Sequence, residues 1–561
     1  MKRLVSISSP PSALGPAWRS CAAAFVIAAA VALVYWPGIH GFWGRDDYFQ
    51  LAFARLVGSP WPLFVRDHFP VPGSVFRPLG FASMWLCARL FGTGYEAHAI
   101  ADLALHAGVS LALFGLLRRA GIALAPAVLC TLLFALHPAV IGTALWWSAR
   151  FDLLAALFVL LALQAAIAYR QRRRPCALWC ALGAALAAML SKEVGLVAIA
   201  AMALLWLRWA RAERVHRAQA LRAVALAVVC AAIYLGWRWL VLGTPSSGLT
   251  GALPVGDAIA KGLLDWAGQA PGYFSFWARL DALHRIAFGA ALAVVVGMFA
   301  FRHARLAVSG QGDLLACGLC LLLLPALLQA PVSALNASPL QAGASAIETA
   351  MQSRLYYLCI AGAAIALAAP LAGIWSGASI RVRGLAGLAL MLALLAMASA
   401  SRDSAQQFAQ RSLAISVVAR EAGAAVARLD LPPVPCHVVF LDVEPAPEWG
   451  VYVSMDSVIK ALSPDPARVE HCWFHANYVT WFHLLAAPVD AADAAPWIPL
   501  VADGHTVPWR RVGDLQIAYL APPQSADPRD VAAMRFLRWR DGHFDDVSAD
   551  VAAGRIAVRL Q

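Results

Sequence analysis

Between positions 18 and 400 the chain repeats one pattern, a run of about 20 apolar residues followed by a short polar break. About 20 residues of α-helix, at roughly 1.5 Å each, cross the roughly 30 Å hydrocarbon core of a bilayer. In lipid only helices or closed barrels satisfy their own backbone hydrogen bonds, and runs this long exclude strands. Candidate spans fall at 18–36, 97–117, 122–140, 149–169, 176–190, 194–207, 223–242, 286–301, 313–330, 355–376 and 384–400, about eleven in all. Composition agrees: 61% of the 561 residues are hydrophobic and 14% charged, against roughly one-quarter charged in a soluble domain. Mean hydropathy is +0.67.

The net charge of +12 does not point to nucleic acid, because the basic residues cluster in short breaks between apolar runs. With Lys2, Arg3 and Arg19 cytoplasmic, the other cytoplasmic loops hold Arg118-Arg119, the run 170–174, the segment 208–222, the segment 302–305, and Arg381 with Arg383. Every basic cluster falls on one side, which sets the expected orientation. A cleaved signal peptide is the rival reading of 18–36. Its length, and the interfacial Tyr35 and Trp36 that end it, favour a span. The pair 176–190 and 194–207 is short enough to be re-entrant, with no change of parity.

The opposite face receives the loop 37–75, the turn 137–148, the turn 191–193, the loops 243–285 and 331–353, and the C-terminal tail. The apolar segment 76–91 is too short to span and reads as an interfacial helix. Beyond 400 the pattern changes. The runs 436–441, 450–454 and 515–520 read as strands and 411–429 as a helix, giving a small extracytoplasmic α/β domain over 401–561 after a membrane domain over 1–400. Nine of the eleven cysteines lie in or beside apolar runs at no metal-like spacing. Cys436 and Cys472 lie in the polar tail, where they can either pair or remain buried thiols. There are no tandem repeats and no low-complexity segments beyond Ala/Leu-rich spans.

Ionisable groups at membrane depth are costly, which makes them functional candidates. Asp46 and Asp47 lie just beyond the first span. Adjacent residues on a helix point different ways, so one carboxylate can face a cavity as a general base while the other holds the loop. Asp46 is the expected base and Asp47 the alternate; a loop carboxylate pairing with Arg45 or capping a helix is the structural reading. Arg66, Asp67, His68 and Arg77 follow in the same loop, and an arginine there can clamp phosphate. His98, Asp102 and His106 recur every four residues; the outer two are about 12 Å apart along the axis, too far for one ion, so a polar seam between helices is expected. Trp146, Trp147 and Ser148 precede Arg150 and Asp152, which can form a buried pair with each other. Lys192 is one of four lysines in an arginine-rich chain, a compact cation suited to phosphate or a simple partner of Glu193. Arg354 opens the tenth run.

The order of these pieces resembles the GT-C superfamily of membrane glycosyltransferases, in particular the bacterial relatives of the transmembrane and tetratricopeptide-repeat O-mannosyltransferases (the protein mannosyltransferase group). The series is Asp46-Asp47; Phe76-Arg77-Pro78-Leu79; His98 with His106, where Asp102 replaces a common asparagine; Phe134 to Pro138; Trp146 with Ser148 to Leu154; Leu190 to Glu193; and Arg354 to Leu358. It covers roughly residues 25–375 and leaves out the tail, which lacks the eukaryotic relatives' tetratricopeptide repeats, so the resemblance does not carry protein O-mannosylation over.

The resemblance implies a membrane-embedded enzyme of hexosyl or pentosyl transfer. The donor is a polyprenyl-phosphate-type lipid-linked sugar and the acceptor an extracytoplasmic protein, lipid or polysaccharide, with inversion. It also implies a bacterial inner (plasma) membrane setting in cell-envelope chemistry, with membrane lipids as partners. Asp46 or Asp47 would be catalytic, and Arg77, His98, His106, Arg150, Lys192, Glu193 and Arg354 would bind the lipid phosphate or substrate. The scheme requires no metal, although some relatives use a divalent ion. Two other classes compete. A lipid-linked-sugar transporter or flippase should show paired halves with matching broken helices, and none is seen; a non-catalytic envelope-assembly scaffold has no need of the acidic pair.

Overall fold

The computed structural model describes residues 17–67, 75–243, 260, 311–336, 353–377, 379–431, 436–443, 454–476, 483–485, 510–512, 515–518 and 534–556. The expected span 286–301, His68, the Arg302–Arg305 cluster and most of the expected strand 450–454 lie outside them.

The described chain is mostly helical. Seven helices are long and apolar enough to cross a bilayer, and an eighth is added if one bent pair counts as a single span. In chain order the helices of this part are α1 (Ala17–Tyr35), α2 (Asp46–Leu56), α3 (Pro78–Phe91), α4 (Tyr95–Arg119), α5 (Leu124–Ala135), α6 (Ile141–Leu145), α7 (Arg150–Arg172), α8 (Pro175–Ser191), α9 (Val197–Ala212), α10 (Arg217–Leu242), α11 (Gln311–Asn336), α12 (Tyr357–Gly377) and α13 (Ile380–Ile415). Each described candidate span has its helix, although α8 and the apolar part of α11 are shorter than a full crossing.

The bent pair is α5 followed by Pro138–Leu145, at 52°. Proline removes a helical donor and pushes the preceding residue into extended backbone. His137 sits at ψ 128 and accepts a hydrogen bond from the Ala139 amide through Nδ1, which closes the turn. Between α8 and α9 the chain doubles back so tightly that a Cβ at Gly195 would lie 2.3 Å from the Ala188 carbonyl carbon. Similarly, α11 and α12 cross backbone to backbone at Gly318 and Gly362, where a Cβ would stand 2.5 Å from the amide nitrogens of Ala366 and Leu322.

Where the arginine-rich ends of α7 and α9 meet α11, Asp313 accepts from Arg170 and, at 2.6 Å, from Arg208. Gln171 donates to the Arg119 carbonyl at 3.0 Å. Three of the basic loops therefore meet at one end of the bundle. At the other end lie the short helices α2 and α3. α3 has Pro78 in its first turn and ends at Gly92, whose φ of +59° suits glycine. It occupies the segment 76–91 expected to lie along the surface.

α13 runs 36 residues, about 54 Å, and passes position 400, the expected domain boundary, without a break. The expected helix 411–429 is the end of α13 plus α14 (Val417–Arg428), separated at Ser416. The tail continues with β1 (Cys436–Leu441), α15 (Met455–Leu462), α16 (Pro466–Val469), β2 (Cys472–Ala476), β3 (His483–Leu485), β4 (Arg510–Val512), β5 (Leu515–Ala518), β6 (Arg535–Arg540), β7 (His543–Asp546) and α17 (Ser548–Ala552). One sheet has the order β2-β1-β6-β7, with β1 parallel to both neighbours and β7 antiparallel to β6; the other is antiparallel, β3-β5-β4. β1 is buried on both faces, as a central parallel strand should be. Val438 and Phe440 pack toward the cluster shared with Val458, Ile459 and Val426, whereas Val439 faces Phe536 and Val551. Cys436 and Cys472 stand opposite each other in register and form a disulfide, so the two cysteines do pair.

Candidate active site

The acidic pair occupies the first turn of α2, where carboxylates face the positive end of the helix dipole. Consecutive helical side chains diverge by about 100°, and the two aspartates do so. Asp47 is fully buried. Its Oδ1 accepts from the Ser148 amide at 2.9 Å and from the Ser148 hydroxyl at 2.5 Å, and its Oδ2 accepts from the Gly44 amide at 3.2 Å. Burial pushes this carboxyl up to about 8, against the pull of those three hydrogen bonds. Asp47 therefore holds a proton near neutrality and ties α2 to the turn before α7. Asp46 is partly exposed and lies within Coulombic reach of Arg354. Arg45, between them and Gly44, has a φ of +50°, an unfavourable conformation for a side-chain-bearing residue and a mark of a constrained loop.

Around Asp46 the helix ends deliver charge from five directions. Arg354, opening the turn before α12, lies with its guanidinium 4.3 Å from the Trp146 ring centroid. Arg77, just before α3, directs Nε and Nη2 to Glu193 Oε2, each at 2.9 Å, and rests over Phe151. Lys192, in the turn outside α8 and α9, places Nζ 2.6 Å from Asp152 Oδ1. Both members of this pair are nearly inaccessible, whereas Asp46, Arg45, Arg77, Glu193 and Arg354 are partly exposed, so the buried pair forms the floor beneath a charged rim. Lys192 feels Arg77 and Arg354 as well as Asp152, and burial lowers its ammonium to about 8. From α10, Arg238 and the Tyr234 hydroxyl come within electrostatic range of Glu193. Five basic side chains face three carboxylates, an imbalance suited to an anionic ligand.

Two pairings expected from the sequence are corrected. Arg150 does not pair with Asp152: they are two residues apart on one helix, about 200° around the axis, and point to different neighbours. Arg150, fully buried, instead donates from Nε to Asp102 Oδ1 at 2.6 Å. Lys192 does not pair with Glu193. Its backbone is extended (φ −160°, ψ 148°), so successive side chains leave on opposite sides, Lys192 toward Asp152 and Glu193 toward Arg77.

The His98, Asp102 and His106 stripe is the expected seam between helices. His98 Nε2 meets the Gly92 carbonyl at 3.0 Å, and its ring packs edge-on against Trp43 and Trp147. His106 bridges the Tyr357 hydroxyl at 2.7 Å and the Ala135 carbonyl at 3.0 Å. Thus Asp46, Arg77, Lys192, Glu193 and Arg354 come together, while His98, His106 and Arg150 sit behind them as part of the packing. Arg66 and Asp67 follow the short turn Trp61–Phe64. Among the described residues no group of three His, Cys, Asp or Glu side chains is arranged as a metal site.

Arg238 and Tyr234 were missed by sequence reasoning. Arg238 lies inside the apolar run 223–242, and the rule that an intramembrane charge is a functional candidate was enough to find it.

No protein-family model matches the sequence, and neither does any curated protein. Two solved structures of ArnT from Cupriavidus metallidurans are similar in outline. The apo structure is 16% identical, covers 88% of this chain and 97% of its own, and superposes with a TM-score of 0.36. The structure bound to undecaprenyl phosphate is 15% identical, covers 90% and 98%, and has a TM-score of 0.35. Superpositions this loose assign neither a ligand nor a residue role to this chain.

Proposed function

We propose that the chain is a membrane glycosyltransferase that moves a sugar from a polyprenyl-phosphate-type carrier to an acceptor hydroxyl outside the cytoplasm. The observation that carries this reading is the division of labour in the acidic pair. Asp47 is consumed by Ser148 and Gly44, while the partly exposed Asp46 lies within Coulombic reach of Arg354, which in turn neighbours Arg77 and Lys192. A base beside a phosphate-sized concentration of positive charge is what such a transfer needs.

Asp46 accepts the proton of the acceptor hydroxyl as its oxygen bonds to the anomeric carbon and the bond from that carbon to the phosphate oxygen breaks. The configuration inverts, and the electron pair leaves with the lipid phosphate, which needs no proton. Arg354, Lys192 and Arg77 neutralise the charge that builds on it. An arginine carries five N–H donors and a lysine three, so a carboxylate behind each cation fixes its position and leaves donors for phosphate. The Tyr234 hydroxyl and Glu193 Oε1, which have no partner among the described residues, are suited to sugar hydroxyls. The Cys436–Cys472 disulfide supports an oxidising compartment for the tail, and the gathered arginines at the far end of the bundle support the opposite orientation for theirs.

The test is reconstitution into vesicles with radiolabelled polyprenyl-phosphate-linked hexoses and pentoses. Asp46→Asn should lower transfer at least about 100-fold while lipid binding is retained. Native protein that carries the lipid-linked sugar across the bilayer without transferring it would sink the assignment.

A further inference from the structure

The tail domain grips the chain on both sides of Asp46. Upstream, the Phe42 amide donates to the Ser412 hydroxyl of α13 at 3.1 Å. Arg420 of α14 lies over the Phe42 ring, 5.7 Å from its centroid. Downstream, α15 packs along α2, and Arg55, in the last turn of α2, donates from Nη1 to the carbonyls of Ala461 at 2.7 Å and Lys460 at 3.3 Å. Those carbonyls belong to the final turn of α15, where helical oxygens lack intrahelical donors and an arginine is the favoured partner.

α15 is itself firmly held. Asp456 and Lys460 form a fully buried pair at 3.0 Å, and Asp456 Oδ1 also accepts from the Phe474 amide of β2 at 3.3 Å. β2 is stapled to β1 by the Cys436–Cys472 disulfide. The helix bearing Asp46 is therefore fixed at its start by Ser148 of the membrane bundle and at its end by the tail sheet through Arg55.

Resting on the glycosyltransferase reading, we propose that the α/β tail is a positioning element of the active site, and that Arg55 is the positioning residue that connects it to the Asp46 helix. The role follows from the arrangement: α2 is only 11 residues long and its base sits in the first turn, so a tilt released at the far end moves the carboxylate at the near end.

The experiment uses the full chain in lipid nanodiscs, comparing native protein with Arg55→Met, which keeps the apolar stem, and Arg55→Lys, which can still donate to the α15 carbonyls. Hydrogen exchange is followed over residues 46–56, and kcat and KM are measured for a polyprenyl-phosphate-linked sugar panel. Arg55→Met should speed exchange across 46–56 and lower kcat about 10-fold, with KM for the lipid-linked sugar changed less than about twofold, because misplacing a reacting group costs rate more than binding. Arg55→Lys should recover most of the loss. Native exchange and native kcat in Arg55→Met would overturn the proposal, as would a kcat loss that Arg55→Lys fails to recover. If native protein transfers no sugar, the functional reading fails, and native exchange over 46–56 in Arg55→Met would still refute the tether separately.

Discussion

The two buried ion pairs beside the site, Arg150–Asp102 and Lys192–Asp152, have the same 2.6 Å length but should respond very differently to loss of the carboxylate. Removing one partner of a buried pair costs about 3–5 kcal/mol when the other charge must stay. Arg150 cannot shed its proton, so Asp102→Asn should cost an amount in that range. Lys192 can. Its ammonium, lowered to about 8, is held charged at pH 7 by one pH unit, about 1.4 kcal/mol. Neutralisation therefore caps the lysine's contribution to the Asp152→Asn deficit at about 1.4 kcal/mol at pH 7.

The sign of the pH dependence separates the two cases further. A lysine lowered in the fold is protonated in the unfolded chain and neutral in the folded one, so unfolding takes up a proton and stability rises with pH. In native protein that rise begins near pH 8. In Asp152→Asn it begins lower, so the deficit relative to native shrinks toward zero as pH passes 8, whereas the Asp102→Asn deficit stays constant over the same window. The assay is equilibrium unfolding by SDS in mixed micelles at pH 6, 7, 8 and 9. Equal deficits for the two variants at pH 7, or an Asp152→Asn deficit that does not shrink by pH 9, would refute the argument that Lys192 sheds its proton.

Asp47 gives the opposite slope. Its carboxyl, raised to about 8, keeps a proton in the fold that the unfolded chain releases above about 4, so its stabilisation is full at low pH and is lost as pH climbs through that window. The native-minus-Asp47→Asn difference should fall with pH by up to about 1.4 kcal/mol per unit, and a difference that rises would contradict the assigned protonation. Replacing Cys436 and Cys472 by serine opens a 36-residue separation and should cost about 3–4 kcal/mol, read as earlier unfolding of the tail that reductant reproduces in native protein. Gly362→Ala drives a Cβ into the Leu322 backbone and should cost about 1–3 kcal/mol, whereas at Gly373 a Cβ meets nothing within 4 Å and alanine should be tolerated; SDS titration compares them.

Sequence reasoning located the helices of the described candidate spans because each helix must cover the bilayer by itself, a requirement that is local and leaves a 20-residue signature. It also singled out most members of the charged cluster, since each costly charge stands out against an apolar background. The partners are a different matter. Arg150 looked toward Asp152 and Lys192 toward Glu193 because neighbours in sequence were the only candidates visible. Geometry forbids both pairings: residues two apart on a helix point away from each other, and adjacent residues in extended backbone leave on opposite sides. The same divergence separates Asp46 from Asp47, one turned to the rim and one to Ser148, 101 positions away. At this site adjacent charges part company, so the doublets Asp46-Asp47 and Lys192-Glu193 each hand their two members to different helices. That hand-over joins α2, α3, α7, the turn after α8 and the start of α12 into one site. A substitution at either member of a doublet should therefore disturb the helix that its partner does not touch.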